Sequence, residues 1–377
     1  HGGTSQAVRN IVPSLKKFAA DSEVVSLDDP NASFLKREPF RIHALGPSKG
    51  PWSYASQLSR WLVENLRNFD VVIVHGLWLY HGYATSNAIL NLRKCNGKAP
   101  KMFVMPHGML DPYFQRAPDR KMKAIRNWFY WKLIEGKVVN NADGLLFTCE
   151  AELLLAREPF QPYRPIKELN VGFGIEPPPP FTDSMYTAFL KKCPQLKDQN
   201  YLLFISRIHE KKGVDLLIKA YSKIVGTNSP RLVIAGPGLE SEYGQSIQRM
   251  VASDELSPFV FFPGMLSGDE KWGCFYKCEA FVLPSHQENF GIAVVEALAC
   301  HKPVLISNKV NIWHEIQSAR GGLVADDNIE GITHMLESWM SLPREDKRSM
   351  GQQARNAYEK NFAIDPVARR LIEALST

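Results

Sequence analysis

Two glutamates, Glu288 and Glu296, stand in the stretch Pro284-Ser285-His286-Gln287-Glu288-Asn289-Phe290-Gly291-Ile292-Ala293-Val294-Val295-Glu296. What they can do depends on how their neighbours fold. The preceding run Ala280-Phe281-Val282-Leu283 reads as a buried parallel strand, and after Gly291 the apolar residues Ile292, Val295, Leu298 and Ala299 recur at helical spacing. The stretch is thus strand, loop and helix start, with Glu288 in the loop and Glu296 two turns into the helix. In open α/β sheets, ligands bind beyond the carboxyl ends of the strands, where helix N-termini offer free N–H groups to anions. A carboxylate in the loop can hold sugar hydroxyls, and one further along the helix can hold a ribose diol. The spacing alone fits a solvated loop glutamate and a surface helix glutamate equally well.

Further chemistry gathers at other strand ends. Ser206-Arg207-Ile208-His209-Glu210-Lys211-Lys212-Gly213 directly follows the strand-like run Tyr201–Ile205. Arg207 at the strand end and Lys212-Gly213 before the next helix aim two cations at one place, a fork and a point charge suited to a diphosphate. An ordinary solvated basic loop is the competing reading. Gly236-Pro237-Gly238 and Pro263-Gly264-Met265-Leu266 follow the next two strands, and glycines there let a backbone approach a ligand closely. Two apolar runs in the first half, Val71–Val74 and Met102–Met105, lead into His75-Gly76 and Pro106-His107-Gly108. His107 is favoured as a site residue over a satisfied core histidine; for His75 the two readings balance.

These residues need a scaffold, and the chain supplies two. At 377 residues it exceeds one ordinary core. Strand-like and helical segments alternate throughout, the mark of parallel sheets covered on both faces. Pro177 to Pro180 fit neither a sheet centre nor a helix interior and mark a linker. The reading is α/β, two facing Rossmann-like doubly wound domains with a cleft between them. Residues 1–175 plus 356–377 form the first domain and 176–355 the second, the break around Asp365-Pro366 letting the last helix return to the first domain. Gly2-Gly3 opens a helix, so the strand expected before it would lie ahead of His1.

Composition narrows the class. Hydrophobic residues make up 45% and charged residues 22%, which describes a globular protein. No uncharged apolar run reaches the length of a membrane span. Six scattered cysteines suggest buried thiols in a reducing cytosol, because Cys274 and Cys278 have no second pair to complete a zinc set. Residues 1–175 hold 23 Lys/Arg against 15 Asp/Glu, a net of +8, and residues 176–377 hold 22 against 24, a net of −2. The first half is therefore expected to meet an anionic partner. Its segment Arg120–Lys137 sets Arg120, Lys121, Lys123, Arg126, Lys132 and Lys137 beside Trp128, Phe129 and Trp131. That fits either a helix with its apolar face in the core or one resting on an anionic membrane surface. Nucleic acid is disfavoured by a modest pI of about 8.9 and the lack of a binding motif.

Glu288 and Glu296 with Asn289-Phe290-Gly291 between them, Arg207 with Lys212-Gly213, and Gly236-Pro237-Gly238 together resemble the retaining glycosyltransferases of family 4 type (group 1), which have the GT-B fold. The resemblance covers nearly the whole chain. It implies that Glu288 holds the transferred sugar, Glu296 the ribose, and Arg207 and Lys212 the diphosphate. Asn289 and the backbone N–H groups of Phe290, Gly291 and Ile292 would assist, with Gly236 close to the phosphates and Met265 against the base. Gly3, of the glycine pair, would approach the phosphates from the first domain, and His107 would face the anomeric centre. It further implies hexose transfer from a nucleotide-diphosphate sugar, UDP-linked, to a saccharide or lipid-linked acceptor in polysaccharide or lipopolysaccharide assembly. No metal or other cofactor is expected, since no Asp-x-Asp ends a strand. The acceptor would attack from the leaving-group face. The chain has Phe173-Gly174 where the family's linker often carries Asn-Gly. A cytoplasmic protein, peripheral at the inner membrane face in one reading, is expected. A nucleotide-sugar epimerase of the same shape and a catalytically silent sugar-nucleotide-binding subunit are the rivals.

Overall fold

A computed structural model describes residues 3–95, 97–117, 120–227 and 229–376. His1 and Gly2 lie outside the described residues, and with them the first member of the expected glycine pair. The chain divides into two compact units, His1–Gly174 with Ile364–Thr377, and Ile175–Ala363.

The first unit contains helices α1 (Gly3–Leu15), α2 (Ser56–Asn65), α3 (Tyr80–Lys94), α4 (Tyr113–Arg116), α5 (Lys121–Tyr130), α6 (Gly136–Asn141) and α7 (Glu150–Leu155). Strands β1 (Val24–Ser26) and β2 (Ile42–Ala44) pair with each other, and β3 (Val71–His75), β4 (Lys101–Met105), β5 (Gly144–Phe147) and β6 (Glu168–Asn170) form a four-stranded parallel sheet in that order. Alternation along β4 explains how the sheet is covered on both faces. Met102 and Val104 join one core with Leu58, Leu62, Ile89 and Phe147. Phe103 and Met105 join another with Leu15, Leu146, Val171, Ala368 and Leu371. The last two belong to the chain's final helix, Ile364–Ser376, whose Pro366 falls in the first turn, where the missing N–H costs nothing.

The second unit runs α8 (Asp183–Lys192), β7 (Tyr201–Ile205), α9 (Val214–Ser222), β8 (Arg231–Ala235), α10 (Glu242–Ser253), β9 (Val260–Gly264), α11 (Gly268–Lys277), β10 (Ala280–Leu283), α12 (Ile292–Ala299), β11 (Val304–Ser307), α13 (Trp313–Ala319), β12 (Gly322–Ala325), α14 (Ile329–Ser341) and α15 (Arg344–Ala357); the final helix of the first unit is α16. All six strands are parallel, in the order β12-β11-β10-β7-β8-β9. This is the doubly wound order in which the chain starts in the middle, extends one way and then the other. The topological switch point therefore lies between β7 and β10.

The unit boundary corrects the expected one. Residues 356–363 stay with the second unit instead of returning at 356. The Tyr358 hydroxyl donates to the Ile175 carbonyl at 2.9 Å, the Ile175 N–H donates to the Phe362 carbonyl at 2.9 Å, and the Phe362 ring packs edge-on against Phe290. Pro177 to Pro180 carry no regular structure. The segment 120–137 is also not one helix: α5 passes through a π-helical turn, Trp131–Glu135, into α6.

That π-turn places a carboxylate where it is costly. Glu135 is 1% exposed, and its Oε2 accepts the N–H of Trp78 at 3.2 Å. Trp78 has a φ of +71°, so the carboxylate holds a left-handed bend in the loop after β3. Burial raises the Glu135 pKa to about 7, with the Trp78 N–H opposing. The native state then holds this proton more tightly than the unfolded chain, so the group's contribution to stability falls as pH rises from about 4.5 to about 7. Glu135→Gln keeps an acceptor for Trp78 and loses the charge. Its stability relative to the parent should rise by about 2 kcal/mol between about pH 5 and pH 7.5, read from denaturant melts of both proteins. A pH-independent difference would show that Glu135 ionises normally.

Candidate functional site

The loops beyond β7 and β8 are held together by backbone. The Ser206 N–H donates to the Ala235 carbonyl at 3.1 Å and the Ile208 N–H to the Pro237 carbonyl at 2.8 Å. Between these two bonds Arg207 points out, exposed, with no hydrogen-bond or ion-pair partner among the described residues. A single 3-10 turn, Glu210–Lys212, follows; its capping His209 accepts the Lys211 N–H at Nδ1, and it ends at Gly213 with a φ of +64°. A Cβ on Gly213 would lie 2.2 Å from the Pro284 carbonyl oxygen, so only glycine allows the two loops to meet. That approach sets the Lys212 ammonium on Oε2 of Glu288, both side chains largely buried.

The β10 loop is pinned from its other side. The Ser307 hydroxyl donates to the Ser285 carbonyl, the His286 N–H donates to the Lys211 carbonyl at 2.8 Å, and the His286 ring meets Asp327 at 3.0 Å. Glu288 is bracketed through its backbone: its N–H donates to the Lys309 carbonyl at 2.9 Å and its carbonyl accepts the Asn311 N–H at 3.0 Å. Asn311 also donates its side-chain amide to Asn289 at 3.4 Å. Gly291, with a φ of +79°, caps α12, whose first-turn N–H groups have no acceptor in the helix itself. The Phe290 side chain is buried against Phe362, so its side chain packs and only its backbone is placed toward the loop.

Glu296 is not a free carboxylate. Lys271 of α11 reaches its Oε1 at 2.5 Å, and only 12% of the glutamate side chain is exposed. Burial raises the Glu296 pKa, and Lys271 opposes that. Around the same sheet edge, a Cβ at Gly236 would fall 1.9 Å from the Ser206 carbonyl oxygen, and the Gly236 N–H donates to the Gly264 carbonyl at 2.9 Å. The loops after β7, β8 and β9 therefore form one continuous rim, ending at Met265, which is 70% exposed.

The second unit thus brings together Arg207, Lys212, Gly236, Met265, Glu288, Asn289, Gly291, Ile292 and Glu296 beyond the ends of four adjacent parallel strands. Gly3 and His107 belong to the first unit. Gly3 opens α1 with open space where a Cβ would stand, so nothing described in that unit demands glycine there. His107 caps the end of β4 with a φ of +54°, and its Nε2 meets Nδ1 of His75 at 2.9 Å. The arrangement contains three further groups that spacing did not single out. Lys271 occupies Glu296, Glu135 holds Trp78, and Glu152 of α7 accepts the Gly108 N–H at 2.5 Å. Each acts through a contact distant in sequence, for which no local pattern exists.

Family models match most of the chain. Residues 2–168 match the glycosyl transferase 4-like domain and residues 187–357 match glycosyl transferases group 1. An uncharacterized glycosyltransferase of Methanocaldococcus jannaschii is 29% identical over 147 residues, 38% of this chain and 37% of that protein. The O-antigen chain mannosyltransferase C of Escherichia coli is 24% identical over 216 residues, 56% of this chain and 55% of that protein. The matched region therefore spans about a third to somewhat over half the length of these relatives. Among solved structures, Anabaena HepE, described in complex with UDP and glucose, superposes with a TM-score of 0.72 at 15% identity, covering 100% of this chain and 96% of that one. The sheet order, the strand-end constellation and the two family models agree: the chain belongs to the group 1 glycosyltransferases with the GT-B fold.

Proposed function

We propose that the chain transfers a hexose from a UDP-sugar, UDP-glucose being the reference donor, to a saccharide or lipid-linked acceptor with retention at the anomeric carbon, in the assembly of a cell-surface polysaccharide or lipopolysaccharide. The observation that carries this reading is the pairing of Lys212 with Glu288 beside the unpaired Arg207 at the switch point of the second sheet. Breaking a sugar–diphosphate bond develops negative charge on the leaving phosphate, and preorganised cations and helix N–H groups there are the largest expected catalytic effect. An ammonium has three donors, so Lys212 can hold Glu288 and a phosphate oxygen at once. Glu288 then takes sugar hydroxyls and Glu296, with Lys271, the ribose diol. With Arg207 and Lys212 neutralising the leaving group, the transfer needs no metal. The incoming hydroxyl attacks from the leaving-group face with the diphosphate taking its proton. The O-antigen role of the Escherichia coli relative supports the acceptor class, and the UDP bound by HepE supports the donor class.

Glu288→Ala and Lys212→Ala should each abolish transfer, measured as nucleotide release dependent on acceptor, in a chain that still folds, Lys212→Ala with a lowered melting temperature because it leaves the Glu288 carboxylate unpaired. Near-normal turnover by both would overturn the site assignment. A thermal-shift panel of UDP-glucose, GDP-mannose and an ADP-sugar, with and without a chelator, names the donor, because only the bound one raises the melting point by mass action. The strongest shift with GDP-mannose would replace the UDP reading.

The lipid-linked acceptor reading has its own support in the first unit. Most apolar side chains of α5 and the turn after it stay out of the core: Met122, Ile125, Trp128, Phe129 and Leu133 are exposed, Met122 at 79%, whereas Trp131 is buried in it. Lys121, Lys123, Arg126 and Lys132 are exposed among them, and no acidic residue occurs between Arg120 and Ile134. An apolar stripe with a cationic border suits the interface of an anionic bilayer. Among the described residues, no helix is long and apolar enough to cross a membrane. Co-sedimentation should show binding to vesicles containing phosphatidylglycerol and weak binding to neutral ones. The variant Met122→Ser/Ile125→Ser/Phe129→Ser should stay in the supernatant. Equal behaviour of parent and variant would remove the membrane reading and leave the transfer reading intact.

A further inference from the structure

Beyond β3 and β4 of the first unit, two short loops with closely similar sequences, His75-Gly76-Leu77-Trp78 and His107-Gly108-Met109, are bonded to each other. The Gly76 N–H donates to the Met105 carbonyl at 2.9 Å, the Leu77 N–H meets the Met109 sulfur at 3.1 Å, and the rings of His75 and His107 lie nearly parallel, 23° apart, with Nδ1 of the first 2.9 Å from Nε2 of the second. Each loop is also held from beneath by a buried carboxylate. Glu135 takes the Trp78 N–H, and Glu152, 4% exposed, takes the Gly108 N–H at 2.5 Å and the Thr148 N–H and hydroxyl at 2.8 and 2.5 Å. Two left-handed residues, Trp78 and His107, and two left-handed glycines, Gly76 and Gly108, are thereby fixed. Such backbone angles persist only where the surroundings enforce them.

We propose that His75 is a positioning residue for transfer, which fixes the ring plane and the tautomer of His107 so that Nδ1 of His107 is the nitrogen offered to the substrate.

The chemistry of the pair supports this. Burial, and then the His81 imidazole, depress His75 to about 4, and burial, and then the His75 imidazole, depress His107 to about 3, so at neutral pH both rings are uncharged. Between two neutral imidazoles only one nitrogen carries the shared proton, and choosing it sets the character of both remaining nitrogens. Nε2 of His107 is committed to this bond. The His75 ring is held in turn through its own backbone, where His81 of α3 donates Nε2–H to the His75 carbonyl at 3.1 Å. A carbonyl only accepts, so His81 is protonated at Nε2. The His81 bond thus ties α3 to the backbone of β3 beneath the paired rings. His107 then acts by an oriented hydrogen bond to a sugar or acceptor hydroxyl and not as an imidazolium.

The inference rests on the proposed role of His107 in transfer, and the experiment separates the two. Three variants, His107→Ala, His75→Phe and His75→Asn, are compared by transfer kinetics, by donor-induced thermal shift, and by nitrogen-15 spectra of the imidazoles. His107→Ala should lose transfer. His75→Phe should lower kcat by about 10- to 100-fold, leave the donor KM within about twofold, and alter the His107 nitrogen signals from those of one tautomer to an exchanging mixture. His75→Asn, which keeps a hydrogen-bonding amide near the place of Nδ1, should recover most of that loss. A retained donor-induced shift in His75→Phe shows that it is folded, and if it is not, His75→Asn and its His107 signals carry the test. Parental kcat and unchanged His107 signals in His75→Phe, beside an inactive His107→Ala, would overturn the positioning role. Parental turnover by His107→Ala would instead overturn the role given to His107, leaving His75 no reaction to serve.

Discussion

The whole strand-end constellation of the second unit depends on one close passage of backbone past backbone, where Gly213 meets the Pro284 carbonyl. The six-stranded parallel sheet makes that passage possible by placing β7 next to β10, though 74 residues of chain separate their ends at Ile205 and Ala280. Any side chain at residue 213 would force the loops apart. With them apart, Lys212 would lose Glu288 and leave a largely buried carboxylate unpaired, which is worse than having neither group. A similar contact recurs at Gly236 against Ser206. Function here is built from glycines that allow contact and charged groups placed by that contact.

Parallel sheets with both faces covered demand continuous apolar strands, and such strands are easy to read. Tyr201–Ile205, Arg231–Ala235 and Ala280–Leu283 were legible to the residue because each is a short apolar run followed by a glycine- or proline-bearing loop. β6 was not, because Glu168-Leu169-Asn170 is three residues long with polar ends, and it is a strand only because β5 offers it an edge. The return of the last helix was readable from Asp365-Pro366, but its starting point was not. What keeps residues 358–363 with the second unit is the reach of Tyr358 and Phe362 to Ile175, a contact across nearly half the chain.

The site divides in the same way. Glu288, Arg207 and Lys212 are marked by type and by position at strand ends, and a sequence carries both kinds of information. Their neutralisers are not so marked. Lys271 sits in the first turns of α11 among Gly268, Asp269, Glu270 and Trp272, where nothing in the local pattern suggests that it reaches Glu296. Glu135 reads as the lone acid at the end of a basic segment, and only the π-turn aims it inward. The basic aromatic segment itself was read with two outcomes. The segment divides between them, since Trp131 is buried in the core while Met122, Ile125, Phe129 and Leu133 are exposed.

The participation of Ala368 and Leu371 in the core built on Leu15, Phe103 and Met105 has a consequence for how the chain is made. The second unit is an insertion, entered at Ile175 and left at Ala363, which pair with each other in a parallel bridge. Its elements are contiguous in sequence and can be completed as they leave the ribosome. The first unit starts earlier and finishes later, since Ala368 and Leu371 of α16 complete the cover that Leu15 of α1 begins on one face of its sheet. Throughout synthesis of the insert, the core of Phe103, Met105 and Leu146 on that face is therefore only partly covered. Vectorial synthesis therefore closes the unit encoded second before the one encoded first.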